Sequence, residues 1–227
     1  MLTIPGLCWL CRMPLACPAW GICSRCTAAM PVAPPCCPCC GLPAMWTASP
    51  CGRCLLNPPS WDRLLLVTDY QPPLSKLVHR LKFAGATALA PALARLILLK
   101  VLDSRRRGDY FRPDVIVSAP LHARRAWRRG YNQSALLAIP LARWLNCEYQ
   151  PTAVRRVRPT ATQHQLTARQ RRGNLKGAFR VDIPLAGRHM VIVDDVVTTG
   201  STVAEIARLL KKQGAATIQV WCLCRTL

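Results

Sequence analysis

Two groups of residues in this sequence have types and spacings that could do chemistry. The first is the run Val191-Ile192-Val193-Asp194-Asp195-Val196-Val197-Thr198-Thr199-Gly200-Ser201-Thr202. Two adjacent carboxylates close an apolar β-branched stretch, and a hydroxyl-rich turn then opens a segment whose helical face is Val203, Ile206, Ala207 and Leu210. Such a turn offers backbone N–H groups, the hydroxyls of Thr198, Thr199, Ser201 and Thr202, and a helix N-terminus, which together make a phosphate cradle. Gly200 lets the backbone come close to the anion. The paired carboxylates beside it can accept hydrogen bonds from vicinal hydroxyls, and a phosphate next to a diol points to a ribose phosphate.

The second group is the cysteines. Eleven of the fourteen lie in the first 54 residues, a stretch with three arginines and no acidic side chain. A segment this small cannot hold itself together by burial alone. Cys8-x-x-Cys11 with Cys23-x-x-Cys26 makes one four-thiolate set, and Cys37-x-x-Cys40 with Cys51-x-x-Cys54 makes another. Each Cys-x-x-Cys turn sets two sulfurs on one side of a tight loop, and two turns close a tetrahedral zinc site. A disulfide framework is the competing account, disfavoured because no export signal accompanies it. Cys36-x-x-Cys39 has the same spacing as Cys37-x-x-Cys40; Gly41 favours the latter, since a knuckle needs a positive φ there or at Gly52. Closed four-thiolate sites do no chemistry and would shape a surface.

These residues need elements to position them. Leu64–Asp69, Asp114–Ala119, Ala153–Val157, His189–Asp194 and Thr217–Leu223 read as strands. Leu74–Phe83, Thr87–Leu102, Gln133–Leu145 and Ser201–Gln213 read as helices. Uninterrupted runs such as Val115-Ile116-Val117 suit strands buried on both faces. The alternation predicts an open α/β fold with a mainly parallel sheet, in which ligands sit beyond the carboxyl ends of strands. Asn57-Pro58-Pro59 marks the expected boundary between a cysteine-rich unit, 1–59, and the α/β unit, 60–227.

Charge narrows the function classes. The formal charge is +21, and residues 115–181 carry thirteen basic side chains against one acid, Glu148. Polyanions are the expected partners: nucleic acid, anionic lipid or a phosphorylated small molecule. Arg124, Arg125, Arg128 and Arg129 follow Pro120-Leu121-His122 at a second strand end, where forked cations suit a pyrophosphate carried with Mg²⁺. A second basic stretch, from Arg155 to Arg172, has the composition of a loop that closes over a ligand. Trp127 and Tyr131, inside the first basic run, are candidate stacking platforms for bases. No segment is apolar and long enough to span a membrane, and no secretory signal is visible, so the cytoplasm is the expected location.

The run from Val191 to Thr202 resembles the phosphoribosyl pyrophosphate motif of type I phosphoribosyltransferases. By that resemblance, Asp194 and Asp195 hold the ribose 2′ and 3′ hydroxyls, and Thr198, Thr199, Gly200, Ser201 and Thr202 hold the 5′-phosphate. The nearest competitor, a Walker B strand end, lacks its G-x-x-x-x-G-K-[ST] partner anywhere in the chain. A capped helix after a core strand explains Ser201 and Thr202 but leaves two adjacent carboxylates unexplained. The whole sequence resembles the ComF family of competence proteins. The resemblance rests on the four cysteine knuckles, Tyr70 with Leu74, His79-Arg80-Leu81-Lys82-Phe83, Pro120-Leu121-His122, Arg129-Gly130-Tyr131-Asn132-Gln133, Arg172-x-Asn174-Leu175-x-Gly177-Ala178-Phe179, and the Asp194 motif. It implies a double zinc ribbon joined to a phosphoribosyltransferase-like domain, a role in taking up or using external DNA, and the DNA-uptake machinery and single-stranded DNA as partners. It brings no acceptor base. Purine transferases often carry an acid where this chain has Thr198, which weakens a purine salvage assignment. Transfer to a small nitrogenous acceptor and ligand-controlled DNA binding without catalysis remain the alternatives.

Overall fold

The computed structural model describes residues 6–121, 127, 129–158 and 177–226. Arg124, Arg125, Arg128, His122 and most of the second basic stretch, 159–176, lie outside the described residues.

Two short helices, α1 (Ser24–Ala28) and α2 (Gly52–Leu56), each begin directly after a cysteine, Cys23 and Cys51. The α/β unit then runs β1 (Arg63–Asp69), α3 (Leu74–Phe83), α4 (Ala90–Arg106), β2 (Val115–Ser118), α5 (Gln133–Leu145), β3 (Glu148–Tyr149), β4 (Val154–Arg156), β5 (Phe179–Val181), β6 (His189–Val197), α6 (Ser201–Lys212) and β7 (Thr217–Arg225). Five strands form one sheet in the order β1-β7-β6-β2-β3, with every neighbouring pair parallel.

Side chains alternate across this sheet as a two-faced core requires. Along β6, Val191 and Val193 pack with the apolar faces of α4 and α5, while Met190 and Ile192 pack with Val203, Ile206 and Leu210 of α6. A right-handed crossover lays its helix on a face set by the direction in which the chain moves along the sheet. The chain moves outward from β2 to β3 one way and from β6 to β7 the other, so α5 and α6 cover opposite faces. The carboxyl ends of β2 and β6 therefore flank the switch point, where the two following segments diverge and leave a crevice.

Several elements differ from their sequence reading. The strand at Val154–Arg156 leaves the main sheet and pairs antiparallel with Phe179–Val181; a three-residue segment with Arg155 facing out has too little apolar surface to enter a doubly covered sheet. The main sheet instead ends at Glu148–Tyr149, whose polar composition hid it. The helix expected from Thr87 opens as a 3-10 turn, Thr87–Leu89, and becomes α-helical at Ala90 with Pro91 in its first turn, where a missing N–H costs nothing. β6 continues three residues past Asp194, so both carboxylates stand within the strand.

The cysteine-rich units pack against this body. Cys8, Leu15, Ile22 and Met30 join the core on the α4 face. The Arg95 guanidinium lies 4.4 Å from the Trp20 ring, and that of Arg80 lies 5.1 Å from Trp9. The second unit is tied to β1, where the Leu64 amide donates to the Pro38 carbonyl at 2.8 Å. Among the described residues, no helix is long and apolar enough to cross a membrane.

Candidate functional site

The turn after β6 and the start of α6 line a small cleft, open to solvent, walled by Asp194 and residues 196–203. Gly200 precedes α6 with φ +76 and has no side chain to cap it; the Ser201 amide donates to the Thr199 hydroxyl at 3.4 Å. The helix therefore presents its first amides to the cleft with its positive dipole end. Thr198 and Thr199 are exposed, and the Thr199 hydroxyl lies 2.8 Å from that of Ser201. Gly200 is required twice, for its positive φ and because a Cβ there would stand 3.2 Å from the Trp61 ring.

Asp194 and Asp195 lie beside this cradle. The Asp194 carboxylate accepts from the Ser134 hydroxyl and the Asp195 amide, both at 3.0 Å. Asp195, 7% exposed, accepts from the Val196 amide at 2.7 Å and pairs with Lys82 Nζ at 3.0 Å. Its buried Oδ2 has the Lys82 ammonium as its charged neighbour and no further donor in reach among the described residues. Burial, then the neighbouring Asp195 charge, pushes the Asp194 carboxyl up to about 7, against the opposing pull of Lys82 and the Ser134 hydrogen bond.

Across the switch point, Asn132 caps α5 through its side-chain oxygen, which accepts from the Ser134 amide at 3.0 Å, while its amide donates to the Ala119 carbonyl. This fixes Ser134 at the first turn of α5, within reach of Asp194. The Tyr131 hydroxyl donates to the Leu81 carbonyl, joining this segment to α3, with its side chain half-buried. Arg129 sits with its guanidinium 5.4 Å from the Phe83 ring.

The structure brings the two sets of thiolates together as their spacing predicts. Cys8, Cys11, Cys23 and Cys26 form one group and Cys37, Cys40, Cys51 and Cys54 the other, each with all sulfurs within 4.8 Å of one another. A zinc–sulfur bond of about 2.3 Å gives a tetrahedron whose edges are about 3.8 Å. The Cys11–Cys23 and Cys40–Cys51 sulfur separations are 3.8 Å and that of Cys37–Cys54 is 3.9 Å, so the donor sets fit a metal ion of that size. The Cys23 and Cys51 amides point at Cys8 and Cys37 sulfurs at 3.4 and 3.3 Å. Cys36 and Cys39 stand outside the cluster; the Cys39 thiol faces the Asp62 carbonyl at 3.6 Å. Gly41 has the positive φ expected of it, whereas Gly52 is simply the first residue of α2.

Four residues at the site escaped sequence reasoning. Lys82 stood inside a recognised motif, and Ser134 directly after another, with nothing to tie either to a carboxylate far along the chain. Trp61 gave no signal. Arg225 did give one, a cation in the otherwise apolar run of β7. It is buried and donates to the Val197 carbonyl at 3.2 Å and to that of Thr198.

A parallel sheet with helices on both faces, a hydroxyl-rich turn into a helix N-terminus at its switch point and two carboxylates beside it define a phosphoribosyltransferase-like protein. The phosphoribosyl transferase domain family matches residues 131–227. The chain is 63% identical over 227 residues, the whole of both chains, to the DNA utilization protein YhgH of Escherichia coli. It is 42% identical over 221 residues, 96% of each chain, to competence protein F of Haemophilus influenzae. Purine phosphoribosyltransferase from Pyrococcus horikoshii Ot3 aligns over 59% of this chain and 73% of its own, with a TM-score of 0.36 and 20% identity. The chain belongs to the ComF family of competence and DNA-utilisation proteins.

Proposed function

We propose that this chain binds phosphoribosyl pyrophosphate with Mg²⁺ and takes part, in the cytoplasm, in the uptake or utilisation of external single-stranded DNA. The observation that carries the first half is a cleft walled by Asp194 and the helix N-terminus at Gly200–Val203, with the Asp195 carboxylate directly behind Asp194 on the same strand. Thr198, Thr199, Gly200, Ser201 and Thr202 hold the 5′-phosphate, while Asp194 and Asp195 accept from the ribose diol. Arg129, with Arg124 and Arg128 from outside the described residues, meets the pyrophosphate. Mg²⁺ travels with the diphosphate, to whose oxygens it is a hard-cation partner. Zinc in the two thiolate groups makes the ribbons rigid. The boundary near residue 59 separates the two units in sequence.

The DNA half is supported by relatives named for DNA utilisation and competence and by the charge of +21. Single-stranded DNA is expected to bind with a slope of log affinity against log salt of roughly −3, about 0.7 for each of four phosphates. The same arginines serve both ligands, so saturating phosphoribosyl pyrophosphate should flatten that slope. Anisotropy titrations across salt decide this, and a slope unmoved by the nucleotide sugar would separate the two sites.

The Asp194 carboxyl gives the nucleotide-sugar site a pH signature. A diol donates best to an ionised pair, and Asp194 loses its proton near 7. Calorimetric affinity for phosphoribosyl pyrophosphate should therefore rise from pH 6 to pH 8, and Asp194→Asn should remove that rise. A profile equally steep in the variant would assign the titration to another group.

A further inference from the structure

The last turn of α3 is used by the site on one side only. Leu81 gives its carbonyl to Tyr131, and Lys82 turns its ammonium to Asp195. Phe83 turns away from both, 65% exposed. A lone exposed apolar side chain is ordinary on a protein surface. This one is held: the His79 ring packs on it at 4.7 Å and a 43° tilt, and Arg129 stands 5.4 Å from its centroid. The helix carrying it has Lys76, Arg80 and Lys82 and no acid. A fixed aromatic ring with an adjoining guanidinium, set among cations, is the combination with which proteins grip single strands: charge follows the phosphates and the ring takes a base.

We propose that Phe83, held by His79 and Arg129, is a stacking platform for a nucleobase of single-stranded DNA, which places the strand across the mouth of the Asp194–Asp195 site. The charge of the surroundings selects the occupant. An apolar peptide would gain nothing from Arg129 and the exposed Lys76, whereas a strand satisfies the ring and the cations together. Trp127, 91% exposed and two residues before Arg129, is available to a neighbouring base on the same strand. The platform rests on the single-stranded DNA reading above.

The test compares an oligothymidylate with an abasic oligomer of the same length, measured by anisotropy on the full chain. The wild type should bind the base-bearing strand more tightly. Phe83→Ala should weaken that strand about tenfold and leave the abasic one unchanged, and Phe83→Trp should restore the difference. Equal binding of both oligomers, unmoved by Phe83→Ala, overturns the platform while the DNA reading stands; binding of neither overturns both. If Phe83→Ala instead weakens free adenine in the presence of phosphoribosyl pyrophosphate and spares the oligomers, the ring serves a small acceptor and the DNA strand is the wrong occupant.

Discussion

Cys37→Ser with Cys40→Ser should lower affinity for phosphoribosyl pyrophosphate by tenfold or more, although neither residue touches the proposed ligand. The second ribbon packs behind the turn proposed to hold the phosphate, through Trp61 and Arg225. The Trp61 indole donates to the Cys39 carbonyl at 2.6 Å, and its ring stands against Gly200. Gly41 packs on Leu64, Leu66 and the Arg225 stem, and Arg225 holds the carbonyls of Val197 and Thr198. The buried core of the ribbon is Cys37, Cys40 and Cys54, with Leu42 and Ala44 packed against them, so a bound metal ion, of order 10 kcal/mol for such sites, would supply most of its stability. Metal analysis should find about two zinc ions in the wild type and one in the variant. Cys8→Ser with Cys11→Ser should also lose one zinc yet affect ligand affinity less, because the first ribbon joins the core on the α4 face. Trp61→Phe keeps most of the packing and removes the indole donor, and should weaken binding with both zinc ions in place. Full affinity in the ribbon-two variant, with its zinc shown to be gone, would sink the coupling.

How much of this was legible beforehand follows from which interactions are local. The turn proposed to hold the phosphate, the strand before it and the helix after it are contiguous, so the run from Val191 to Thr202 displayed its carboxylates, hydroxyls and glycine together in the order of the fold. The knuckles were legible for the same reason, and the doubtful register was settled by geometry: Cys37 and Cys40 converge with the second pair, and Cys36 and Cys39 do not. The coupling of the parts was hidden. Lys82 reaches Asp195, Ser134 reaches Asp194 and Trp61 reaches Gly200 across chain separations that no periodicity reports. The edge strand Glu148–Tyr149 was missed because a two-residue strand has no alternation to read. Val154–Arg156 was assigned to the wrong sheet because strand propensity says nothing about partner. Arg225 left a signal that went unread: a cation closing a largely apolar strand, which in the fold donates to two carbonyls of the turn after β6.

Replacing Asp194 and Asp195 together by asparagine should abolish measurable binding of phosphoribosyl pyrophosphate while the protein remains folded. Hydrogen bonds to charged groups contribute about 1.5–3 kcal/mol each. Losing two charged acceptors of a diol therefore predicts a weakening of about a hundredfold to ten-thousandfold. The single variants separate ligand binding from stability. Asp194 holds its proton up to about 7 when folded, against 3.8 otherwise. A carboxyl raised in this way favours the folded state at low pH and loses that contribution as pH rises through the folded value. Asp194→Asn should thus raise the melting temperature of the ligand-free protein relative to wild type at pH 8, with the advantage gone by pH 4, while it weakens the ligand. Asp195→Asn removes the partner of Lys82, which is itself largely buried, and should lower the melting temperature at pH 8. Opposite stability effects from neighbouring carboxylates, with binding lost from both, distinguish a ligand site from a purely structural ion-pair cluster, where binding would be spared. Unchanged calorimetric binding in a folded double variant would place the nucleotide sugar elsewhere.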